Sequence, residues 1–177
     1  MSDVDYQLLL RASFRFVSFR PRSEKEFRDF LNKKLKKHHV YGPNLLEKVI
    51  QRLRDLGYLD DAKFVSWWID QRQTHNPKGM RLIAQELKAK GISDELVKPL
   101  LVRQGGQYFS DRNENDPDRE VDETVLAKSA LSKKLRIWQP LPKLERKKKI
   151  YSFLGRRGFS GDTIGHVIDE IEDRTVQ

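Results

Sequence analysis

The chain of 177 residues contains no cysteine. This absence excludes disulfide bonds, thiol catalysis and thiolate metal sites, and it fits a cytoplasmic protein. No run of about eighteen apolar residues occurs, so no membrane span is expected. The N-terminal residues lack the basic segment followed by an apolar stretch that marks a secretory signal. We therefore expect a cytoplasmic protein that does not contact a membrane.

The signatures of common catalytic sites are also missing. The sequence has no nucleophile elbow, no phosphate-binding glycine loop and no pair of catalytic carboxylates. The histidines form no i, i+4 pair and no cluster with Glu, so we interpret them as solvated turn residues. They are His38, His39, His75 and His166. We expect neither an enzyme nor a cofactor or metal site.

Charge is abundant but unevenly distributed. Lysine and arginine total 35 against 26 acidic residues, a formal net charge of +9. Residues 110–123 hold seven acids and two arginines, which leaves an excess of fourteen positive charges on the remainder. Such an excess attracts polyanions or acidic protein surfaces, and the alternative is that it serves solubility. The acidic stretch 105–122, which begins at Gly105-Gly106, is expected to be a flexible linker.

Apolar residues recur with a period near 3.6 through most of the chain, which predicts amphipathic helices. Leu35, Leu87 and Leu154 anchor an internal repeat, because each follows an apolar residue by four positions and precedes basic residues, a polar cap and an apolar pair. The sequence therefore predicts an all-α fold of three tandem three-helix units. We expect them to stack into an elongated, curved array, since each is small for an independent core. The predicted units are 1–57, 58–104 and, after the acidic linker, 123–177.

Glycine and aspartate punctuate the helices at the junction of the first two units. Gly57 ends one helix, since glycine accepts left-handed backbone angles, and Asp60 or Asp61 caps the next. A catalytic or Mg²⁺-binding carboxylate pair is the less favoured interpretation, because both aspartates stand at a helix start. The junction residues predicted to be architectural are Gly57, Asp60, Asp61, Phe64, Gly91 and Gly158.

Caps and prolines mark further boundaries. Pro77 is placed in a first helical turn, where its missing N–H is tolerated. Pro99 falls inside a helix and is expected to kink or shorten it. Three helix starts are predicted from capping residues: Ser23 with Glu26, Asn44 with Glu47, and Ser93.

Trp67 and Trp68 diverge by about 100° on a helix, so they cannot both enter one core. We expect the second ring to pack on the neighbouring unit, ahead of the alternative that it is an exposed anchor.

Basic residues of the second and third units are candidates for contact with DNA phosphates or an acidic protein surface. The alternative is that they form solvated helix faces. Gly155 and Gly158 favour contact slightly, because glycine lets a partner approach closely. The candidates are Arg72, Lys78, Arg81, Lys88, Lys90, Lys133, Lys134, Arg136, Arg146, Lys147, Lys148, Arg156 and Arg157.

Three groups of residues resemble the RecX family of bacterial recombination regulators. They are Arg20-x-Arg22-Ser23-x-x-Glu26, Gly57-Tyr-Leu-Asp-Asp-x-x-Phe64, and Gly79-x-Arg81-x-Ile83-x-x-Glu86-Leu87-x-x-Lys90-Gly91-Ile92. The resemblance covers essentially the whole chain, is most specific in the middle unit and is looser in the third. It implies a modular all-α protein that binds RecA and lies in the groove of the RecA filament on single-stranded DNA. It also implies interference with filament growth and with the ATPase, strand-exchange and co-protease activities.

Two functions stay open at this point. The first is a monomeric, non-enzymatic modulator of RecA and its filament, which touches single-stranded DNA and binds duplex DNA weakly or not at all. The alternative is a direct DNA-binding module, since three-helix units with a basic helix resemble helix-turn-helix proteins. Basic residues scattered over several helices, without one recognition face, favour the modulator. A purely structural scaffold ranks third.

Overall fold

The computed structural model describes residues 3–38, 44–101, 107–108 and 121–173. Within these ranges the chain is all-α, apart from one pair of two-residue strands, which confirms the predicted fold class. No helix there is long and apolar enough to cross a bilayer. The helices are α1 (Asp3–Ser18), α2 (Glu24–His38), α3 (Leu45–Asp55), α4 (Asp61–His75), α5 (Met80–Ala89), α6 (Asp94–Val97), a 3₁₀ helix (Lys98–Leu101), α7 (Glu123–Trp138), α8 (Lys143–Arg156) and α9 (Gly161–Asp173).

Each successive group of three helices has its own apolar core. We call α1–α3 unit one, α4–α6 with the 3₁₀ helix unit two, and α7–α9 unit three. The first core includes Leu9, Phe27, Leu31, Val49, Ile50 and Leu53. The second includes Phe64, Trp68, Ile83, Leu87 and Val97, and the third Leu131, Ile150, Leu154, Ile164 and Val167. The division follows the sequence repeat, although Leu59 packs in the first core. The exact unit boundaries stay a prediction.

Three glycines end helices in the left-handed conformation, as predicted. Gly57, Gly91 and Gly158 have φ of 72°, 81° and 82°. At Gly91 its own N–H donates to Lys88 at 2.9 Å and the next amide donates to Leu87 at 3.1 Å, the paired bonds of a Schellman motif. The same pair of bonds recurs at the other two glycines.

The predicted helix starts are confirmed in part. The Asp60 carboxylate accepts hydrogen bonds from the amides of Ala62 and Lys63, both at 3.0 Å, and caps α4. The Ser23 hydroxyl accepts from the Glu26 amide at 3.2 Å, so half of that capping box forms. Phe64 is fully buried and begins the apolar face of α4, as predicted.

At the other two predicted starts the helix begins after the expected residue, but that residue's side chain does not cap it. Asn44 has helical backbone angles (φ −109°, ψ −1°) and its side chain caps nothing, while Glu47 binds Arg28 instead. At α6 the carbonyl of Ser93, rather than its hydroxyl, accepts from Leu96 and Val97.

The predictions for Pro77 and Pro99 have different outcomes. Pro99 shortens its helix as predicted, because α6 gives way to a 3₁₀ turn at Lys98. Pro77 lies outside α5, contrary to the prediction. The helix begins only at Met80, because the backbone of Gly79 is extended and its amide binds another unit.

The two ends of the acidic segment lie side by side. Gln107–Tyr108 (β1) pairs antiparallel with Val121–Asp122 (β2), with Gln107 opposite Asp122. Gly105, Gly106 and residues 109–120 lie outside the described residues, so the flexible linker stays a prediction.

Candidate partner-binding surface

Unit one caps the carboxyl end of α5. The Ser23 hydroxyl donates to the carbonyl of Lys90 at 2.8 Å, and Lys25 Nζ donates to the carbonyl of Ala89 at 3.1 Å. The last carbonyls of a helix have no partner within it, so these donors satisfy groups that would otherwise need water. The Lys25 side chain also covers Gly91, where a Cβ would lie 2.7 Å from Lys25 Cβ.

Glu26 joins the two units by charge. Its carboxylate binds the guanidinium of Arg20 in bidentate fashion, at 3.1 and 3.2 Å, and also the ammonium group of Lys90. It therefore does not complete the predicted capping box. Burial raises the pKa of Glu26, but the hydrogen bonds from Arg20 and Lys90 outweigh it and leave the pKa below its ordinary value.

Asp61 makes a second polar contact between these units. Its Oδ1 accepts the backbone N–H of Glu24 at 2.9 Å, so the start of α4 caps the start of α2. Burial raises the pKa of Asp61, and the nearby charges of Glu24 and Asp60 add to that effect. The two aspartates are therefore both helix caps, one for its own helix and one for a neighbour.

The prediction for the tryptophan pair is confirmed only in part, because both rings pack on the core of unit two. Trp68 is buried in the core of unit two, and Trp67 is half-buried against the same core. The guanidinium of Arg20 from unit one lies 5.4 Å from the centroid of Trp67. This is a cation–π contact between units, so Trp67 is part of the same junction.

Unit three caps the amino end of α5. The Gly79 N–H donates to the carbonyl of Arg157 at 2.9 Å. The Arg157 guanidinium donates back to Asn76 Oδ1 at 2.8 Å and to the carbonyl of Pro77 at 3.0 Å. Arg157 was a candidate for partner contact, and these bonds give it a structural role within the chain.

Gly158 lies against unit two and leaves no room there for a partner. A Cβ on Gly158 would lie 2.7 Å from the amide nitrogen of Leu82. The prediction that a partner approaches at Gly158 is wrong, because Leu82 occupies that space. Gly155 is exposed, and a Cβ there would meet nothing within 4 Å.

Glu123 is a buried carboxylate between the second and third units. It accepts the hydroxyl of Thr163 at 2.6 Å and the N–H of Met80 at 3.4 Å. One oxygen thus faces the first amide of α5 and the other fixes α9. Together with Arg157 it satisfies amides at the start of α5 that have no partner within the helix.

Glu86 collects three donors inside unit two. Trp68 Nε1 donates at 2.9 Å, Arg72 Nε at 2.7 Å, and Lys78 binds the other oxygen. Burial raises the pKa of Glu86, but the hydrogen bonds from Lys78 and Arg72 prevail and lower it. Arg72 and Lys78 therefore already share one carboxylate within the fold.

Other candidates differ in how far they are engaged. Arg146 is buried and donates to Glu172 at 3.0 Å, so its guanidinium does not face a partner. Lys88 forms an exposed pair with Asp94, and Arg156 donates to a serine hydroxyl one turn earlier. Exposed contacts of this kind contribute little and yield easily to a partner.

The remaining candidates bind no acidic side chain among the described residues. They are Arg81, Lys133, Lys134, Arg136, Lys147 and Lys148. All but Arg81 lie on α7 and α8. Exposed apolar side chains accompany them: Ile137, Leu144 and Tyr151 are 61%, 67% and 57% exposed. We call Lys133, Arg136, Ile137, Leu144, Lys148 and Tyr151 the outer face of α7–α8.

Sequence reasoning missed the apolar half of this face, and it missed the acids that bind basic groups at the junctions and within unit two. Glu26, Glu86 and Glu123 had a signal, because each is an acid within or beside a basic or apolar stretch. Ile137, Leu144 and Tyr151 gave none, since periodicity alone does not separate a core position from a solvent-facing one on a short helix. Among the described residues no group of three His, Asp or Glu side chains could hold a metal ion.

Comparison with known proteins matches the same units. The family model for the second three-helix domain of RecX matches residues 60–99, and that for the third matches 121–168. The chain is 34% identical over 157 residues to the protein named Regulatory protein RecX from Bacillus subtilis (strain 168). This match covers 89% of the chain but 52% of that protein. The protein of the same name from Prosthecochloris aestuarii is 29% identical, with 97% of the chain and 98% of that protein covered.

Solved structures share the fold. The crystal structure of RecX from Lactobacillus salivarius has a TM-score of 0.72 at 20% identity and covers 97% of the chain and 99% of that structure's chain. A crystal structure of regulatory protein RecX has a TM-score of 0.67 at 21% identity. The chain spans about half the length of several relatives it matches and almost all of the Prosthecochloris one. With both domain models falling in order on units two and three, and with relatives aligned along most of its length, the chain belongs to the RecX family.

Proposed function

We propose that this chain is a non-enzymatic regulator that binds the RecA recombinase and its filament on single-stranded DNA. It inhibits the ATPase, strand-exchange and co-protease activities of RecA by occupying the filament. The observation that carries the proposal is membership of the RecX family, whose curated relatives bear the name Regulatory protein RecX.

The two junctions support a role in binding a long, regular partner. Helix α5 receives hydrogen bonds from Ser23 and Lys25 at one end, and its other end binds Arg157 and Glu123. These contacts hold each unit against the next, so the chain presents binding groups at fixed separations. Fixed separations suit a polymer with a regular repeat, because several contacts then form together without further ordering.

The outer face of α7–α8 is the surface proposed for contact. Lys133, Arg136 and Lys148 are exposed cations without acidic partners among the described residues. Exposed apolar side chains beside such cations are typical of protein interfaces, in which aromatic and aliphatic groups supply most of the affinity. The cations add attraction to acidic protein surface or to DNA phosphates.

The alternative of a direct DNA-binding module is less well supported. In helix-turn-helix proteins a helix late in the unit enters the major groove. In unit three that helix is α9, which carries five acids and no lysine or arginine. The exposed acids of this helix, Asp162, Asp169 and Asp173, would repel the phosphates of DNA.

ATP hydrolysis by RecA on single-stranded DNA tests the proposal. We expect the wild-type chain to depress hydrolysis at near-stoichiometric amounts. The variant Lys133→Glu/Arg136→Glu/Lys148→Glu is expected to need roughly tenfold more protein for the same inhibition. The matched control is Lys36→Glu/Lys48→Glu/Arg52→Glu, which makes the same change of net charge at exposed positions of unit one.

The outcomes separate the two functions. No effect of the wild-type chain on hydrolysis, filament length or strand exchange would overturn the proposal. Tight, sequence-selective binding to duplex DNA without RecA would favour the DNA-binding module instead. Weak DNA binding with a steep salt dependence fits the regulator, because phosphate contacts alone behave in that way.

A further inference from the structure

A second exposed stripe runs along α1, far in sequence from the outer face of α7–α8. Val4, Leu8, Arg11 and Arg15 follow the spacing of one face of α1, and Phe19 comes directly after the end of that helix. Val4, Leu8 and Phe19 are 73%, 44% and 74% exposed. Opposite this stripe, Leu9, Ser13 and Val17 are buried against the core of unit one. Helix α1 therefore buries one face in the core of unit one and carries additional apolar side chains on the opposite, exposed face.

The stripe borders a groove between α1 and α2. The groove has a volume of about 480 Å³ and is lined by Arg11, Arg15, Phe16, Phe19, Phe30 and Lys34, among others. Phe16 and Phe30 stack in parallel with ring centroids 4.1 Å apart, which gives the groove a firm aromatic floor. A second depression of about 400 Å³, beside Val4, Gln7 and Leu8, shares Arg11 with the first. The two depressions are therefore neighbours on either side of Arg11.

The charge of this groove has one sign. Arg11 and Arg15 make no ion pair or hydrogen bond through their side chains with the part of the chain that the structure describes. Lys34 Nζ lies 5.7 Å from the centroid of the Phe30 ring rather than beside a carboxylate. No Asp or Glu lines either depression. An apolar strip bordered by unneutralised cations is complementary to an apolar strip bordered by carboxylates.

We propose that this groove binds an acidic amphipathic helix of a partner protein. The stripe spans about four helical turns, roughly 22 Å, which matches the length of one docked helix. Apolar anchors at i, i+4 and i+7 of that helix would enter the groove, and its acidic residues would pair with the three cations. The occupant is thereby defined by its chemistry.

Two other occupants fit the groove less well. A second copy of α1 would bring arginine against arginine, which costs energy. Single-stranded DNA would need a row of exposed rings on which bases stack, whereas Val4 and Leu8 are aliphatic and Phe16 and Phe30 are already stacked on each other. The aliphatic end of the groove favours a protein helix.

This inference goes beyond the proposed function. It concerns unit one, and it holds whether or not the outer face of α7–α8 contacts RecA. Removing the groove is expected to leave untouched any binding that depends on Lys133, Arg136 and Lys148.

A fluorescein-labelled synthetic peptide tests the inference. It would be a helix of about 18 residues with leucine and phenylalanine at i, i+4, i+7 and i+11 and glutamate between them. With the full chain, fluorescence anisotropy is expected to give a dissociation constant of roughly tens of micromolar. Leu8→Ser/Phe19→Ser and, separately, Arg11→Glu/Arg15→Glu are expected to weaken binding about tenfold or more. All four positions are exposed, so unchanged melting curves are expected to accompany the loss.

The control variant Leu56→Ser/Val125→Ser removes apolar groups that are 42% and 59% exposed and lie outside both the groove and the outer face of α7–α8, so it is expected to bind the peptide like the wild type. The inference would be overturned if both groove variants bound the peptide as tightly as the wild-type chain does. It would also be overturned if the wild-type chain bound a lysine-containing peptide as tightly as the glutamate peptide, or did not bind the glutamate peptide at all. If oligo(dT) competed with the peptide for the wild-type chain and did not bind the groove variants, the occupant of the groove would be nucleic acid and not a helix. If the wild-type chain associated with itself and the same variants did not, the occupant of the groove would be a second copy of this chain.

Discussion

Gly79 and Gly158 bring the backbones of units two and three into direct contact. A Cβ on Gly79 would run into the carbonyl group of Gly158 and would lie 2.5 Å from the amide nitrogen of Phe159. The Gly79 N–H donates to the neighbouring carbonyl of Arg157 at 2.9 Å. The two glycines therefore allow an approach that any side chain would prevent, and they place α5 against the end of α8.

The first prediction concerns this contact. Gly79→Ala is expected to lower the free energy of unfolding by about 1–3 kcal/mol, because the new methyl group meets backbone that cannot rotate away. Gly158→Ala is expected to cost at least as much, since its φ of 82° also disfavours a side chain. Urea unfolding followed by circular dichroism measures both.

The matched control for that experiment is Gly155→Ala. Gly155 lies in α8 with open space around its Cβ position, so alanine there is expected to stabilise the chain by about 0.5–1 kcal/mol. A Gly79→Ala variant as stable as the wild type would contradict the close contact.

The second prediction concerns Glu86. Its replacement by alanine leaves the indole N–H of Trp68, Arg72 and Lys78 without their shared acceptor. We expect a loss of about 1.5–3 kcal/mol of stability, because partly buried donors then lack a partner. Glu95→Ala, at an exposed position of α6, is expected to change stability by less than about 0.5 kcal/mol. Thermal melting of the two variants, measured side by side, checks the difference.

The third prediction concerns the cap that unit one provides. Ser23→Ala removes one hydroxyl that donates to Lys90 and accepts from Glu26. A loss of about 1–2 kcal/mol is expected, since a helix cap and a contact between units disappear together. Ser132→Ala is the control, because Ser132 is exposed on α7 and its hydroxyl binds only within that helix. If both substitutions cost the same, Ser23 does not join the units.

The fourth prediction concerns acid. Glu26 and Glu86 have lowered pKa values in the folded chain, so the unfolded chain takes up protons first as pH falls. Their stabilising contribution is full above their unfolded pKa values and is lost as pH falls through the lower folded values. We expect the free energy of unfolding to drop between about pH 5 and pH 3. In the double variant Glu26→Gln/Glu86→Gln the drop is expected to be shallower.

The effect of Asp61 on the pH dependence of stability has the opposite sign to that of Glu26 and Glu86. Its pKa is raised in the folded chain, so its protonation favours the folded state as pH falls. Asp61→Asn keeps an oxygen that accepts the Glu24 N–H but removes this compensation. The variant is therefore expected to lose stability more steeply in acid than the wild type. Parallel urea titrations at several pH values would show it, and a shallower curve for Asp61→Asn would reverse the assigned sign.

Local signals in the sequence were sufficient where the chain interacts with itself nearby. Period-3.6 apolar spacing located the helices, and Gly57, Gly91 and Gly158 marked three of their ends, because a left-handed residue after a helix is a local requirement. The same reasoning left the cap of α4 to Asp60 or Asp61, and the structure gives it to Asp60. It located the helix starts after Asn44 and Ser93 but not the absence of a side-chain cap there, and it failed at Pro77, where a contact with another unit decided the start of α5.

The basic candidate residues show more clearly what the sequence could not establish. Arg72, Lys78, Lys90 and Arg157 were selected as basic groups of the second and third units, and the structure pairs each of them within the chain. Composition counts charges but does not reveal which carboxylate or carbonyl lies opposite them. Lys133, Arg136 and Lys148 show no such partner in the described ranges, and only the fold distinguishes the two sets.

The sequence by itself determined that this protein is a series of small amphipathic helices in a threefold repeat, since periodicity and helix ends depend on residues a few positions apart. The tertiary structure decided how the repeated units contact one another. Ser23 and Lys90 are 67 positions apart, and Arg157 and Asn76 are 81 apart. Contacts at such separations depend on how whole helices pack. That packing placed Ser23, Lys90 and Arg157 in contacts between units, and it left Lys133, Arg136 and Lys148 without an acidic partner among the described residues.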